Sequence, residues 1–169
     1  PSHRVLDPFC GSGTTLVEAA HLGISGCGLD LNPLAVFLAN TKLAMLTLDV
    51  NQLRTALTRV RRDLPRVKIP RAELAGPRRE YLDNWFTSDV LASIEALRVC
   101  VSRLDEKFRS FFLVVASNFL REYSLQDPAD LRIRRRKSPL STIPFSEVWS
   151  REAAAQISVL ERVQPLLAG

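Results

Sequence analysis

Short apolar runs alternate with stretches of helical spacing along the first part of the chain. Arg4-Val5-Leu6 is an apolar run that stops at Asp7-Pro8, residues 14–22 are amphipathic, and residues 24–29 form a second small apolar run. Glycines separate these segments, and Gly23 stands where a helix-ending glycine is expected. The pattern predicts strand, glycine turn, helix and strand, which together make a βαβ unit.

Helical spacing dominates the rest of the chain. Pro33 stands in the first turn of a helix that Asn32 can cap. Further helices are predicted over residues 51–64, 91–104, 108–123 and 145–163, and connectors over residues 65–80 and 125–144. Residues 111–115 could instead be a buried strand, because periodicity does not decide so short an apolar run.

These elements predict an α/β protein that is built around an incomplete Rossmann-like fold. The βαβ unit and the helices after it occupy residues 1–64, and a mostly helical insertion or target-contact segment occupies residues 65–169. Two strands cannot complete a doubly wound sheet. We therefore expect the missing strands to lie outside this chain, in a longer protein.

Composition and cysteine usage exclude several classes of protein. Hydrophobic residues make up 46% of the 169 positions and charged residues 24%, a balance typical of a soluble globular domain. We expect no membrane association and a cytoplasmic location, because no apolar stretch approaches the roughly 20 residues of a membrane span. Cys10, Cys27 and Cys100 have no metal-ligand spacing, so neither a disulfide framework nor a metal site is predicted.

The excess positive charge is local. Lysine and arginine outnumber aspartate and glutamate by 23 to 18, and five of these cations lie within six residues. This basic run consists of Arg132, Arg134, Arg135, Arg136 and Lys137, with Ile133 between them. It predicts a nucleic-acid-binding surface that contacts phosphate rather than reading bases, since it carries little besides charge.

The turn after the first strand has the chemistry of a nucleoside-binding site. Gly11 and Gly13 let the backbone approach a ligand closely, and the helix that follows presents free amides. Asp30 ends the second strand 17 residues after Gly13, where an acidic side chain can accept hydrogen bonds from both hydroxyls of a ribose.

Two common nucleotide classes fit this turn poorly. A phosphate loop needs Gly-Lys-Ser/Thr, but Thr14 and Thr15 follow Gly13 here, and a dinucleotide fingerprint needs a glycine where Leu16 stands. Asp7 places an anion at the pocket, which suits a cationic ligand better than a phosphate. S-adenosylmethionine, an adenosine carrying a sulfonium and an amino group, has that character.

The segment VLDPFCGSGTT, residues 5–15, closely resembles the first motif of the DNA methyltransferases that modify the exocyclic amines of adenine (N6) or cytosine (N4). Residues 28–33, GLDLNP, resemble their second motif. The resemblance is sharp over residues 4–43 and loose beyond them. It implies an S-adenosyl-L-methionine cofactor, DNA as partner and methyl transfer as activity, in the manner of a restriction-modification enzyme.

The resemblance also implies which residues bind the cofactor. Asp7, Phe9, Gly11 and Gly13 would lie around its methionine and ribose parts, and Thr14 and Thr15 would bind it at the helix start. Pro8 and Cys10 of the same motif are also predicted to bind the cofactor. Asp30 would accept from the ribose, Leu31 would pack on the adenine, and Asn32 would adjoin them.

Trp85 and Phe86 are predicted as core residues in preference to base-stacking groups.

The chain departs from the family in one respect. The family holds the accepting amine with Asp, Asn or Ser followed by Pro-Pro and an aromatic residue, and stacks the flipped base on that ring. Each Asp-Pro, Asn-Pro and Ser-Pro pair of this sequence lacks the second proline. No catalytic residue is assigned, and we expect that the chain alone does not methylate.

The sequence thus predicts the cofactor-binding part of a DNA methyltransferase. Two other hypotheses stay open: a non-catalytic nucleic-acid-binding adaptor with a vestigial cofactor fold, and a methyltransferase that acts on RNA or protein. Neither the target base, the recognition sequence, a restriction partner nor the oligomeric state follows from the residues.

Overall fold

The computed structural model describes residues 3–70, 75–127 and 132–167. The chain divides into two compact units, which we name the sheet unit (residues 1–51 and 157–169) and the helical unit (residues 52–156). The predicted boundary between residues 64 and 65 stays a prediction. Parts of both predicted connectors, residues 71–74 and 128–131, lie outside the described residues.

The sheet unit contains a short parallel sheet. Strands β1 (Arg4–Asp7) and β2 (Ser25–Gly28) pair in register, with Arg4 opposite Ser25 and Asp7 opposite Gly28. Parallel strands need a crossover connection, and helix α1 (Thr14–His21) supplies it. The predicted βαβ unit is therefore confirmed.

Local sequence signals set the ends of the helices in this unit. Gly23 has a φ of 66°, and its amide donates to the carbonyl of Ala20 just after α1 ends. Helix α2 (Pro33–Met45) begins with Pro33 in its first turn, and the Asn32 side chain accepts from the amide of Leu34 at 3.0 Å. Both features follow the predicted glycine stop and asparagine cap.

The remaining elements are helical. In the described residues, helix α3 (Val50–Asp63) is followed by a 3-10 turn (Leu64–Arg66) and five further helices, the last of which extends into residues 157–167 of the sheet unit. Their bounds are α3 (Val50–Asp63), α4 (Pro77–Asp83), α5 (Ser88–Val101), α6 (Glu106–Ser117), α7 (Leu120–Tyr123) and α8 (Phe145–Leu167). Within the described part of the chain the fold is thus mixed α/β and mostly helical.

Three local predictions need correction. Residues 77–80 belong to α4 and not to a connector, because Pro77 occupies the first turn, where its missing N–H costs nothing. Residues 111–115 lie in helix α6, so the strand alternative is wrong. Helix α8 continues past Val163 and contains Pro165 close to its end.

Aromatic side chains form the core of the helical unit. Phe112 lies between Phe111 and Trp149, with ring centroids 5.1 and 5.5 Å apart, and all three side chains are buried. The indole N–H of Trp149 donates to the carbonyl of Phe112 at 3.2 Å. This hydrogen bond satisfies the polar atom of a buried tryptophan.

A buried carboxylate is neutralised within the same unit. Glu95 on α5 is fully buried, and the Arg78 guanidinium lies 2.7 Å from its Oε1 atom. Arg98, one helical turn further along α5, pairs with the other oxygen. Two partners compensate the cost of removing this charge from water, so we assign Glu95 a structural role.

In the described ranges no single helix is long and apolar enough to cross a membrane. One consecutive pair, Pro33–Met45 with Val50–Arg66, has the combined length and apolar composition of a membrane span, but the chain bends by 120° between the two segments.

Candidate functional site

The glycine turn between β1 and α1 brings the backbone against helix α2. Gly11 and Gly13 have φ angles of 51° and 80°, in the left-handed region that favours glycine. A Cβ atom on Gly13 would lie 2.6 Å from the Cβ of Ala39 in α2, closer than two carbon atoms can approach. A Cβ on Gly11 would meet no atom within 4 Å. Gly13 is therefore required by packing, whereas Gly11 borders open space.

Asp30 connects the glycine turn to the start of α2. Its Oδ2 atom accepts from the amide of Gly11 at 2.9 Å, and its Oδ1 atom accepts from the amide of Asn32 at 2.8 Å. These amides, Asn32 first and then Gly11, hold the pKa of the Asp30 carboxyl below its usual value. Asp30 is therefore a carboxylate at neutral pH.

The carboxylate keeps acceptor capacity for a ligand. Two carboxylate oxygens offer about four lone-pair positions, and the amides of Gly11 and Asn32 use two of them. The side chain is only half-buried. Asp30 can therefore hold the turn and accept two further hydrogen bonds, as a ribose with two adjacent hydroxyls would require.

Large apolar side chains near Asp30 and in the glycine turn are exposed. Leu31 is 99% exposed and Phe9 84% exposed, and Leu29 and Leu34 are more than half exposed. Apolar surface next to a polar hydrogen-bonding group is the pattern found in small-molecule sites. The predicted residues Leu31 and Phe9 are thus available to a planar, partly apolar ligand.

The other predicted cofactor-binding residues differ in their positions. Asp7, half-buried at the end of β1, accepts from the amide of Phe9 at 3.1 Å. The Cys10 side chain is buried in a small core cluster with Leu16 and Ala39. Four further predicted residues are exposed: Pro8 before the glycines, Thr14 and Thr15 at the start of α1, and Asn32 before α2.

The structure adds a polar pair that sequence reasoning missed. Lys42 of α2 donates from Nζ to the Ser12 hydroxyl at 2.9 Å, between positions 30 residues apart in the chain. Ser12 lies between the two glycines of the turn. Nothing local in the sequence signals this contact, because it depends on how α2 packs against the turn.

The predicted phosphate-binding run lies in the helical unit, and part of it has a structural role. Arg135 donates to the carbonyl of Asn84 at 3.0 Å, and Arg136 donates to the carbonyls of Glu122 and Ser124. Most of the run is exposed, with Arg136 half-buried. Charge alone did not show that two of its arginines fasten the segment to the helices.

Trp85 and Phe86, predicted as core, are only half-buried and line a cavity in the helical unit. Over residues 3–70, 75–127 and 132–167, no group of three or more His, Cys, Asp or Glu side chains is placed to hold a metal ion.

The site is built on a parallel βαβ unit, with a glycine turn after the first strand and the acidic residue Asp30 after the second strand. Residues 1–63 match the family model described as RMKL-like, methyltransferase domain. The resemblance to methyltransferases that the motifs predict is thereby confirmed, over the part of the chain that contains both motifs.

Two relatives are more specific. The chain is 26% identical over 127 residues to the Type II methyltransferase M.MvaI of Kocuria varians, covering 72% of this chain and 28% of that protein. It is 40% identical over 53 residues to the Type II methyltransferase M.MjaII of Methanocaldococcus jannaschii, covering 31% and 10%. The chain thus spans 28% or less of the length of the curated relatives that it matches. No solved structure matches it.

Proposed function

We propose that this chain supplies the S-adenosylmethionine-binding part of a DNA methyltransferase that acts on an exocyclic amine, adenine N6 or cytosine N4. The observation that carries the proposal is the position of Asp30, whose carboxylate bridges the glycine turn and the start of α2. The match of residues 1–63 to a methyltransferase domain supports it. So does the parallel βαβ unit, which we take to be part of a Rossmann-like fold.

Each part of the site has a distinct task in this proposal. Gly11 leaves open space for the ligand beside the turn, and Asp30 accepts from the ribose hydroxyls. Leu31 and Phe9 cover the apolar faces of the ligand, and the Asp7 carboxylate favours its cationic end. When bound, S-adenosylmethionine supplies an activated methyl group on sulfur.

DNA is proposed as the substrate on two grounds. Both relatives are named Type II methyltransferases, and the run of cations at residues 132–137 offers charge for phosphate contacts. No residue is proposed to hold the accepting amine, since the sequence contains no Pro-Pro-aromatic tetrapeptide. Positioning that amine is a separate requirement for rapid transfer.

The Asp30→Asn variant tests the proposal directly. We expect it to weaken the binding of S-adenosylhomocysteine on the order of tenfold, because one charged acceptor is lost while the shape of the side chain is kept. Isothermal calorimetry on the full chain measures this change. An unchanged affinity would contradict the assignment of the ribose to Asp30.

Asp49→Asn is the matched control. Asp49 accepts from the amide of Asn51 at 2.8 Å, the same local geometry that Asp30 forms with Asn32. We expect this variant to bind S-adenosylhomocysteine like the parent chain. If Asp30→Asn and Asp49→Asn weaken ligand binding equally, the loss of affinity comes from the loss of a local turn and not from a lost ribose contact.

Gly11→Ala tests the position of the ligand. The added methyl group would enter open space beside the turn, so we expect affinity for S-adenosylhomocysteine to fall at least about tenfold by steric exclusion of the ligand. The left-handed backbone adds a cost of roughly 1 to 2 kcal/mol in the free energy of unfolding. Calorimetry and urea unfolding separate the two effects.

Gly23→Ala is the control for the backbone cost. Gly23 has a φ of 66° and a Cβ there would also meet no atom within 4 Å, but the residue lies at the far end of α1. Gly11→Ala and Gly23→Ala should lose similar stability, and only Gly11→Ala should lose affinity for S-adenosylhomocysteine. If the two variants bind this ligand with the same affinity, the cofactor does not lie beside the turn.

A further inference from the structure

The helical unit contains an open cavity of about 380 Å³ with an aromatic wall. Tyr81 of α4 and Trp85, just after that helix, form one side, with ring centroids 6.4 Å apart and ring planes at 57°. Phe86 and Ile133, the latter from the basic run, also line the cavity. The volume lies within the range of small-ligand sites, roughly 300 to 1,000 Å³.

The lining of this cavity is more exposed than a core would be. Tyr81 is 64% exposed and Ile133 is 75% exposed. Packed interiors leave few voids larger than a water molecule, and exposed aromatic rings that face a common space are characteristic of binding surfaces. The cavity is therefore an accessible pocket and not a packing defect.

Positively charged residues lie in and next to the lining of the pocket. Arg121 is one of its lining residues, and the Arg135 side chain donates to the carbonyl of Asn84, directly before Trp85. Backbone hydrogen bonds hold the run in place: the amide of Leu125 donates to the carbonyl of Trp85, and Gln126 pairs with Arg135 in an antiparallel bridge. The basic run is thus held by hydrogen bonds next to the aromatic residues that line the pocket.

We propose that this pocket binds an unpaired base of DNA, while the basic run contacts the phosphates beside it. Aromatic rings bind any base by stacking, and neighbouring cations bind the backbone. An apolar peptide would fill the aromatic wall but would leave the local excess of cations unused. Only the choice of DNA among nucleic acids rests on the proposed function.

Tryptophan fluorescence can test the pocket. The chain has two tryptophans, and Trp149 is fully buried in the core. Stacking of a base on Trp85 should therefore quench the exposed part of the emission. We expect a short single-stranded oligothymidylate to quench it and to bind roughly tenfold more tightly than an abasic strand with the same phosphates.

Variants at Trp85 and Ile133 give the test its controls. Trp85→Phe keeps an aromatic ring and should retain most of the preference for the base-containing strand, whereas Trp85→Leu should lose it. Ile133→Ala should weaken the single strand more than Ile143→Ala, since Ile143 is also exposed but does not line the pocket. Thermal unfolding of each variant confirms that it is folded.

Three outcomes would overturn the proposal. Equal binding of the oligothymidylate and the abasic strand would show that only phosphate is bound. Equal loss in Trp85→Phe and Trp85→Leu would exclude stacking, and tighter binding of the matching RNA strand would exclude DNA as the occupant. Binding of S-adenosylhomocysteine is measured on the same protein, so failure of the pocket and failure of the cofactor site are distinguished.

Discussion

Gly13→Ala is expected to destabilise the glycine turn and to abolish ligand binding there. The new Cβ atom would lie 2.6 Å from the Cβ and 2.9 Å from the Cα of Ala39, and the backbone at Gly13 has a φ of 80°. Overpacking and a left-handed alanine together should lower the free energy of unfolding by about 3 kcal/mol. Urea unfolding of the full chain measures the loss.

The contact partner of Gly13 explains why this effect should be large. Ala39 is a buried residue of α2, and its Cα atom belongs to the helix backbone, so it cannot move aside as a flexible side chain would. Displacing the turn would also break the hydrogen bond from the amide of Gly13 to the carbonyl of Cys10.

Gly23→Ala again isolates the backbone cost, which we expect to be roughly 1 to 2 kcal/mol. It should leave S-adenosylhomocysteine binding intact, whereas Gly13→Ala should reduce it below detection in calorimetry. If the two variants lose the same stability, Ala39 does not lie close enough to Gly13 in solution to exclude a methyl group. That result would contradict the packing of α2 against the turn.

Sequence alone predicts the elements of the sheet unit well, because the signals there are local. Gly23 ends α1, Asn32 caps α2, and Pro33 occupies the first helical turn, each by chemistry that acts within a few residues. The same type of signal misled at Pro77, since proline opens helices as well as interrupting connectors. The short run at residues 111–115 required tertiary packing to decide between helix and strand.

The candidate site was predicted in part. Sequence alone names Asp30 and Gly11 as candidates, and this assignment stays a prediction; it does not predict the hydrogen bond between them, because that bond joins positions 19 residues apart. The contact of Lys42 with Ser12 is likewise tertiary. In the basic run, charge predicted a surface for phosphate, whereas the roles of Arg135 and Arg136 in holding the segment depend on backbone carbonyls that composition does not reveal.

The exposed cations of the basic run lead to the other large expected effect. Replacing Arg132, Arg134 and Lys137 together by glutamine, while Arg135 and Arg136 keep their backbone contacts, should weaken binding to every DNA duplex alike. The slope of log affinity against log salt should flatten by about 2.7, at about 0.9 for each lost phosphate contact. Relative to 1 M salt, this flatter slope corresponds to a loss of roughly 500-fold in affinity at about 0.1 M salt, which fluorescence anisotropy over a salt series measures.

A matched triple substitution on another surface separates local contact from net charge. Arg54, Arg59 and Arg62 are exposed on α3 in the same unit, and changing all three to glutamine removes an equal charge. Long-range attraction is screened beyond about 10 Å at 0.1 M salt, so this control should change the salt slope far less. Equal slopes for the two triple variants would show that DNA responds to overall charge, and a loss confined to one preferred duplex would make the run a reader of bases. Either result would contradict the assignment of phosphate contacts to Arg132, Arg134 and Lys137.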